Sequence, residues 1–247
     1  MNKEEIQTLM LNSIDYFQTA NGEFEYSSTS GNFNLLVTYQ TDLSDNSKSY
    51  EKVQTINPDD SLENGYVEKA YDGEYLYNYN SGSEDFEKNS VTKDKKPKKV
   101  KVKVKKVSKE ERKELKGAKI DKRIVDVEGE KAYIRRIDPS YMALAKTSLF
   151  PEDLAMGFLE DNSQWDIEGQ EIIAGKDTIV IKGKLNSNYS KRYNSKTFKL
   201  NIDPNTGIML QMEVYDKSGS VTESLRTRNI EINQSLDNGI FTSIDAK

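Results

Sequence analysis

The spacing of apolar positions divides the chain into a helical opening and a long strand-like remainder. Ile6, Leu9, Met10, Ile14 and Phe17 recur at helical spacing and predict an amphipathic helix over residues 3–20. Glu4 and Glu5 stand in its first turn, where the helix dipole favours acids, and Asn21-Gly22 supplies the stop signal. The period then shortens to two. "EFEYSS" and "GNFNLLVTYQT" alternate apolar and polar residues, and "GYVEKAYDGEYLYNYNS" predicts strands split by Asp72-Gly73, a strong hairpin signal. Tyr75, Tyr77 and Tyr79 share one face of the strand after that turn. Residues 80–97 carry no periodicity and predict a polar loop.

Downstream, "SKEERKELKG" predicts a short charged helix or turn, and "KRIVDVEGEKAYIRRI" a hairpin about Glu128-Gly129. Pro139 and Pro151 sit where first-turn prolines belong and predict helices over 140–148 and 151–160. "WDIEGQEIIAGKDTIVIKGKL" predicts two strands. The segment from Lys196 to Asn233 predicts a three-strand meander, with Phe198, Leu200 and Ile202 alternating, then Ile208, Leu210, Met212 and Val214. Its connector "DPNTG" has Pro at the second turn position and Gly where φ must be positive, and "DKSG" repeats that logic. Ten or so antiparallel strands with helices at the start and in the middle make an α+β protein dominated by one strongly curved sheet.

Composition narrows the chemistry. The 247 residues include neither histidine nor cysteine. A Ser–His–Asp or Cys–His site is impossible, and zinc would have to rely on carboxylates alone. No GxGxxG, Walker-type or HExxH pattern occurs. The many carboxylates could in principle pair to hydrolyse a glycoside, but nothing in the sequence brings two together. No catalytic, cofactor-binding or metal-binding residue is therefore assigned. No run approaches the ~18 apolar residues of a membrane helix.

The net charge of −5 conceals a split. Residues 93–119 hold 14 Lys/Arg against 4 Asp/Glu, whereas the rest holds 22 against 37. The basic part centres on "KKVKVKVKKV", residues 98–107. Alternation places Val100, Val102, Val104 and Val107 close to one face and lysines on the other, with a register shift at Lys105-Lys106, which is the pattern of a strand with one wet face. The functional reading makes Lys98, Lys99, Lys101, Lys103, Lys105 and Lys106 an electrostatic docking surface for an anionic partner or acidic lipid headgroups. Nucleic acid is disfavoured as a partner, because the segment has no aromatic residue to stack on a base and the body is acidic. The row Tyr71, Tyr75, Tyr77 and Tyr79 could stack on sugar rings, although aromatics are also simply good strand formers.

The C-terminal third resembles the lipoprotein-carrier superfamily, the fold of LolA, LolB and the N-terminal domain of RseB. The resemblance lies in the Asp203-Pro204, Thr206-Gly207 turn, Met212 and Glu213 on the returning strand, and the Asp216 and Gly219 turn. It continues through Ile230, Ile232 and Asn233 to Leu236, Asp237 and Phe241. It implies an open half-barrel: a strongly curved antiparallel sheet with helices packed on the concave side. On that basis the chain is a single domain over 1–247 with a basic insertion at about 89–119. The early strand "NFNLLVTYQT" has no arginine, so the lid-gating of the carrier member is not carried over.

The resemblance further implies a non-enzymatic extracytoplasmic binding protein, anchored to the membrane through an N-terminal segment upstream of Met1. Such a protein binds or regulates a partner protein in envelope stress or in sporulation and germination. The alternative is a lipid or lipoprotein carrier holding acyl chains on its apolar concave face. Tyr141, Met142, Leu144, Leu149, Phe150, Leu154, Phe158 and Leu159 would line that cavity, or fill it as solid core.

Overall fold

The computed structural model describes residues 1–44, 46–91, 124–127, 130–133 and 138–246. The chain divides into two compact units, Met1–Val91 with Asp138–Lys247, and Thr92–Ile137. In the second, β7 (Ile124–Val127) and β8 (Glu130–Tyr133) form an antiparallel hairpin about the expected position. The Lys/Val run, the charged segment at 108–117 and Glu128-Gly129 lie outside the described residues.

The first unit is built on one eleven-stranded antiparallel sheet. Six strands run outward from its middle: β1 (Thr19–Ser28), β2 (Phe33–Asp42), β3 (Lys48–Ile56), β4 (Leu62–Tyr71), β5 (Tyr75–Asn80) and β6 (Asp85–Ser90). Five return from the other edge: β9 (Trp165–Ile173), β10 (Lys176–Lys184), β11 (Thr197–Ile202), β12 (Met209–Tyr215) and β13 (Val221–Ile232). The spatial order is β6-β5-β4-β3-β2-β1-β13-β12-β11-β10-β9, so β1 and β13 meet in the centre. Among the described residues β6 and β9 each pair on one side only, and the sheet does not close.

The opening helix is shorter than its apolar stripe. α1 spans Lys3–Leu11, followed by a 3₁₀ turn at Ser13–Asp15. Asn2 and Glu5 form a reciprocal capping box at its start. Asn21-Gly22 is not its stop; both residues lie inside β1. Gly22 is needed there for close approach. A Cβ on it would sit 2.4 Å from the Asn229 carbonyl oxygen and 3.0 Å from Tyr39 Oη.

Three more corrections concern the elements. The expected loop at 80–97 contains β6, whose six residues are all exposed and so show no apolar period. The mid-chain helices are only α2 (Ala145–Leu149) and α3 (Glu152–Gly157). Before α2 the Asp138 carboxylate accepts bonds from the Ser140 and Met142 amides, and Tyr141 is left-handed at φ +56°, so helix cannot start there. An unforeseen helix, α4 (Ser187–Tyr193), opens on Asn186, whose side chain accepts from the Asn188 and Tyr189 amides, and closes on left-handed Asn194.

The β11–β12 turn matches its sequence signature. Asp203 Oδ1 accepts the Asn205 and Thr206 amides at 2.7 and 3.0 Å, and Gly207 has φ +74°. That glycine also lets the turn abut α1, since a Cβ would lie 2.4 Å from the Leu9 carbonyl oxygen.

Candidate functional site

The residues expected to line an apolar cavity come together as the layer of α2, α3 and their flanks. α2 lies against β2 and β12, and α3 against α1. Met142, Leu149, Phe150, Leu154, Phe158 and Leu159 are all buried, Leu149 and Leu159 completely. Leu144 is half-buried, and Tyr141 is exposed, its ring packed 4.8 Å from that of Tyr71. Phe150 stacks on Phe17 at 5.9 Å. Phe158 meets Phe198 of β11 at 4.9 Å and the α4 rings of Tyr189 and Tyr193 edge-on at 5.2 and 5.8 Å. Because Phe198 faces this layer, so do Leu200 and Ile202, with Ile181 and Met212 opposite Leu200.

Polar side chains fasten the layer. Gln7 Nε2 of α1 donates to the carbonyls of Ala155 and Leu159 at 3.0 and 3.1 Å, and Ser13 Oγ to that of Leu149 at 2.8 Å. Ser148 Oγ donates to the Met209 carbonyl at 2.8 Å. On β3, Ser49 Oγ donates to the Ser140 carbonyl. The Glu51 carboxylate accepts from the Leu144 and Ala145 amides at 3.0 and 2.8 Å. Glu51 thus caps α2 from a distant strand, satisfying amides that its own N-cap, Leu144, cannot. Burial raises the Glu51 pKa; those amides and the Lys69 charge pull it back. Two hydroxyls on the same face are buried without a hydrogen-bond partner among the described residues: Tyr39 Oη, beside Gly22, and Thr227 Oγ1, opposite Phe24.

The structure divides the tyrosine row: Tyr71 packs on Tyr141 beside the helix layer, whereas Tyr75, Tyr77 and Tyr79 belong to the other face. Tyr50, adjacent to Glu51 on β3, points away from α2. It forms a buried cluster with Ala70, Tyr77, Phe241 and Ile244, against which Tyr75, Tyr79, Leu236 and Ile240 pack. The C-terminal 3₁₀ segment Asn238–Ala246 supplies the cover, lying across β3, β4 and β5. Lys88 Nζ reaches Asp245 at 3.0 Å and sits over the rings of Tyr75 and Tyr77. Beneath the segment, Tyr50 Oη donates to the buried Glu68 at 2.6 Å, and burial foremost raises the Tyr50 pKa. Burial likewise pushes Tyr77, which donates to Asp72, up to about 12. The row is therefore core for a covering segment. Its signal in the sequence was Phe241, one of the residues carrying the family resemblance, but no local period linked it to β3–β5.

The docking lysines Lys98, Lys99, Lys101, Lys103, Lys105 and Lys106 lie outside the described residues. Among the described residues no three acidic side chains converge as a metal site would require. No described helix is long and apolar enough to cross a membrane.

No curated protein matches the sequence. Among solved structures, the Pseudomonas aeruginosa MucA/MucB complex aligns with 97% of this chain and 60% of its own, at 12% identity and TM-score 0.48. LprF from Mycobacterium bovis aligns over 96% of both chains at 10% identity and TM-score 0.44. Lipoprotein LppX from Mycobacterium tuberculosis covers 95% of this chain and 97% of its own, at 8% identity and TM-score 0.42. The chain spans about 60% of the length of the MucB structures it matches. The family described as the MucB/RseB N-terminal domain matches residues 100–244, more than half of the sequence. By that match the chain belongs to the MucB/RseB N-terminal domain family, within the LolA/RseB-like superfamily.

Proposed function

We propose that this chain is a non-enzymatic, extracytoplasmic binding domain whose ligand is a partner protein, with a regulatory role in envelope stress or in sporulation and germination. It is a half-barrel with its helices on the concave side, tethered to the membrane by a segment upstream of Met1. Family membership supports a binding role. The observation favouring a protein over a lipid is the packed helix layer. Six of the eight apolar candidates are already buried against one another, α1 and the sheet. Each large apolar side chain gains about 1.5–3 kcal/mol from such burial. An acyl chain would have to displace them, whereas a protein partner can use outer surfaces.

The docking residues in this reading are the lysines of 98–106, attractive to an acidic segment. The test is cross-linking in the membrane fraction of the source cells, comparing the wild-type chain with one carrying Lys→Ser at 98, 99, 101, 103, 105 and 106. The reading expects one specific protein to be captured by the wild type and lost with the variant. Equal capture by both would remove the lysines from the interface. Capture of no specific protein, with acyl lipid carried by the purified chain, would replace this reading with the lipid-carrier alternative. In that case Tyr141 and Leu144, the less buried members of the layer, mark where a chain would enter.

A further inference from the structure

At the end of the sheet where β10 passes to β11 and β12 turns into β13, two loops border an open polar cavity of about 420 Å³. Ser190, Lys191, Asn194, Ser195, Lys196, Asp216 and Lys217 line it. These residues come from the last turn of α4, the loop after it, and the β12–β13 turn. The walls are stitched together. Asn194 turns the chain at φ +50°, and the Lys196 amide donates to the Tyr215 carbonyl at 2.7 Å. Ser190 Oγ donates to the Ser195 carbonyl, and the buried Ser195 hydroxyl bonds Thr222.

The charge inside is lopsided. Three lysines share the lining with one carboxylate, in an otherwise acidic body. Asp216 is already engaged by the Ser218 and Ser220 amides and the Ser218 hydroxyl, which hold its pKa below the usual range. Elsewhere Lys3, Lys88 and Lys199 each reach a carboxylate. Among the described residues Lys191, Lys196 and Lys217 form no ion pair; Lys196 Nζ instead donates to Ser190 Oγ at 3.2 Å. Complementing the dipole of α4 accounts for Lys191 but not for Lys196 or Lys217, which lie outside the helix.

We propose that this cavity binds a phosphate monoester dianion borne on a small polar group. Compact ammonium groups supplied by separate segments of the lining suit a doubly charged tetrahedral anion, whereas a lone carboxylate is better met by a planar guanidinium fork, which the lining lacks. The cavity exceeds the bare ion, so the phosphate carries a substituent. No aromatic ring lines it, which argues against a nucleobase. A soluble sugar or glycerol phosphate and the headgroup of phosphatidic acid share this chemistry. The inference stands apart from the partner-protein reading and uses none of its residues.

The test is a titration of the isotope-labelled full chain with glycerol 3-phosphate at constant ionic strength, with glycerol as control, followed by amide chemical shifts. Saturable shifts confined to residues 190–196 and 216–217 are expected. The Lys196→Gln, Lys217→Gln double variant should weaken binding about fivefold or more while its spectrum elsewhere is unchanged. Co-sedimentation with phosphatidic acid vesicles, against phosphatidylglycerol vesicles of equal charge, separates the sources. Phosphatidic acid-selective pelleting lost in the double variant assigns the lipid headgroup, and its absence beside soluble binding assigns the free phosphate. No saturable shift, or shifts that the double variant leaves undiminished, would overturn the proposal.

Discussion

Across β9–β12 the fully buried strand residues are apolar or neutral: Ile181, Leu200, Ile202, Met212 and Val214 are at most 1% exposed, and no buried strand residue is charged. In the other half of the same sheet, β3 and β4 bury the carboxylates of Glu51 and Glu68 at 3% and 5% exposure. The first region faces the helix layer on one side and, on the other, carries a polar ladder: Asn201 Nδ2 donates to Thr178 and Glu171, and Lys199 pairs with Glu171 at 2.7 Å. The second is covered on both sides, by α2 with its flanking loop and by the C-terminal 3₁₀ segment. The difference teaches how one sheet takes two kinds of cover. Where side chains interdigitate across regular strands, aliphatic burial suffices. Where the short irregular segment around α2 docks, its unsatisfied backbone groups are met by Ser49 and Glu51 reaching from the sheet, whereas under the 3₁₀ segment Glu68 accepts from Tyr50 of the neighbouring strand.

That contrast can be broken from both sides. Phe241→Ala, in the covering segment, should cost about 3–5 kcal/mol, and Leu200→Ala, in the aliphatic half, about 2–5 kcal/mol in denaturant unfolding. Native-state hydrogen exchange separates them: Phe241→Ala should lower protection chiefly in β3–β5, Leu200→Ala throughout β9–β13. Uniform loss in both variants would mean the two regions unfold as one unit. Gly207→Ala is next, at least about 2 kcal/mol, because alanine would combine a left-handed φ with a clash against the α1 backbone. Glu51→Ala should cost about 1–3 kcal/mol, by orphaning the α2 amides.

Glu51→Gln sharpens the comparison through pH. Glu51 titrates higher folded than unfolded, so its contribution is complete below the ordinary carboxylate range and is lost as pH rises through the raised value. Unfolding free energies measured from acid to neutral pH should therefore shift in favour of Glu51→Gln as pH rises. A gap independent of pH would show that the amides fully offset the burial. Asp72 and Glu171 lie on the opposite side: their folded-state pKa values are lowered, so their contribution is lost as pH falls. The smallest effect is expected for Tyr39→Phe, which removes a buried hydroxyl without a partner among the described residues and should raise stability by up to about 1 kcal/mol in thermal melts.

The two regions also differ in how much of them the sequence displayed. The β11–β13 meander was legible because its strands alternate strictly and its turns carry Asp203-Pro204 with Gly207, and Asp216 with Gly219, residues whose backbone demands are local. The Asp72-Gly73 hairpin was legible for the same reason. β6 was not, since a strand wet on both faces has no apolar period. α4 was not, because none of its residues is fully buried and only the caps Asn186 and Asn194 announce it. Apolar periodicity overextends the opening helix because Phe17 continues its stripe and Asn21-Gly22 mimics a stop, although that glycine serves a close contact between strands. Of the candidate site, the apolar layer was legible as a group. Its fastening by Glu51 and Ser49 was not, because a tertiary cap joins residues about ninety positions apart with no sequence period between them. The cover over the tyrosine row was hidden likewise.

The most direct measurement of the central claim is native mass spectrometry of the full chain isolated gently from its membrane fraction. The account predicts a chain without non-covalently held acyl lipid, appearing alone and in a complex with one other protein. A chain carrying stoichiometric acyl lipid and no protein partner would contradict it.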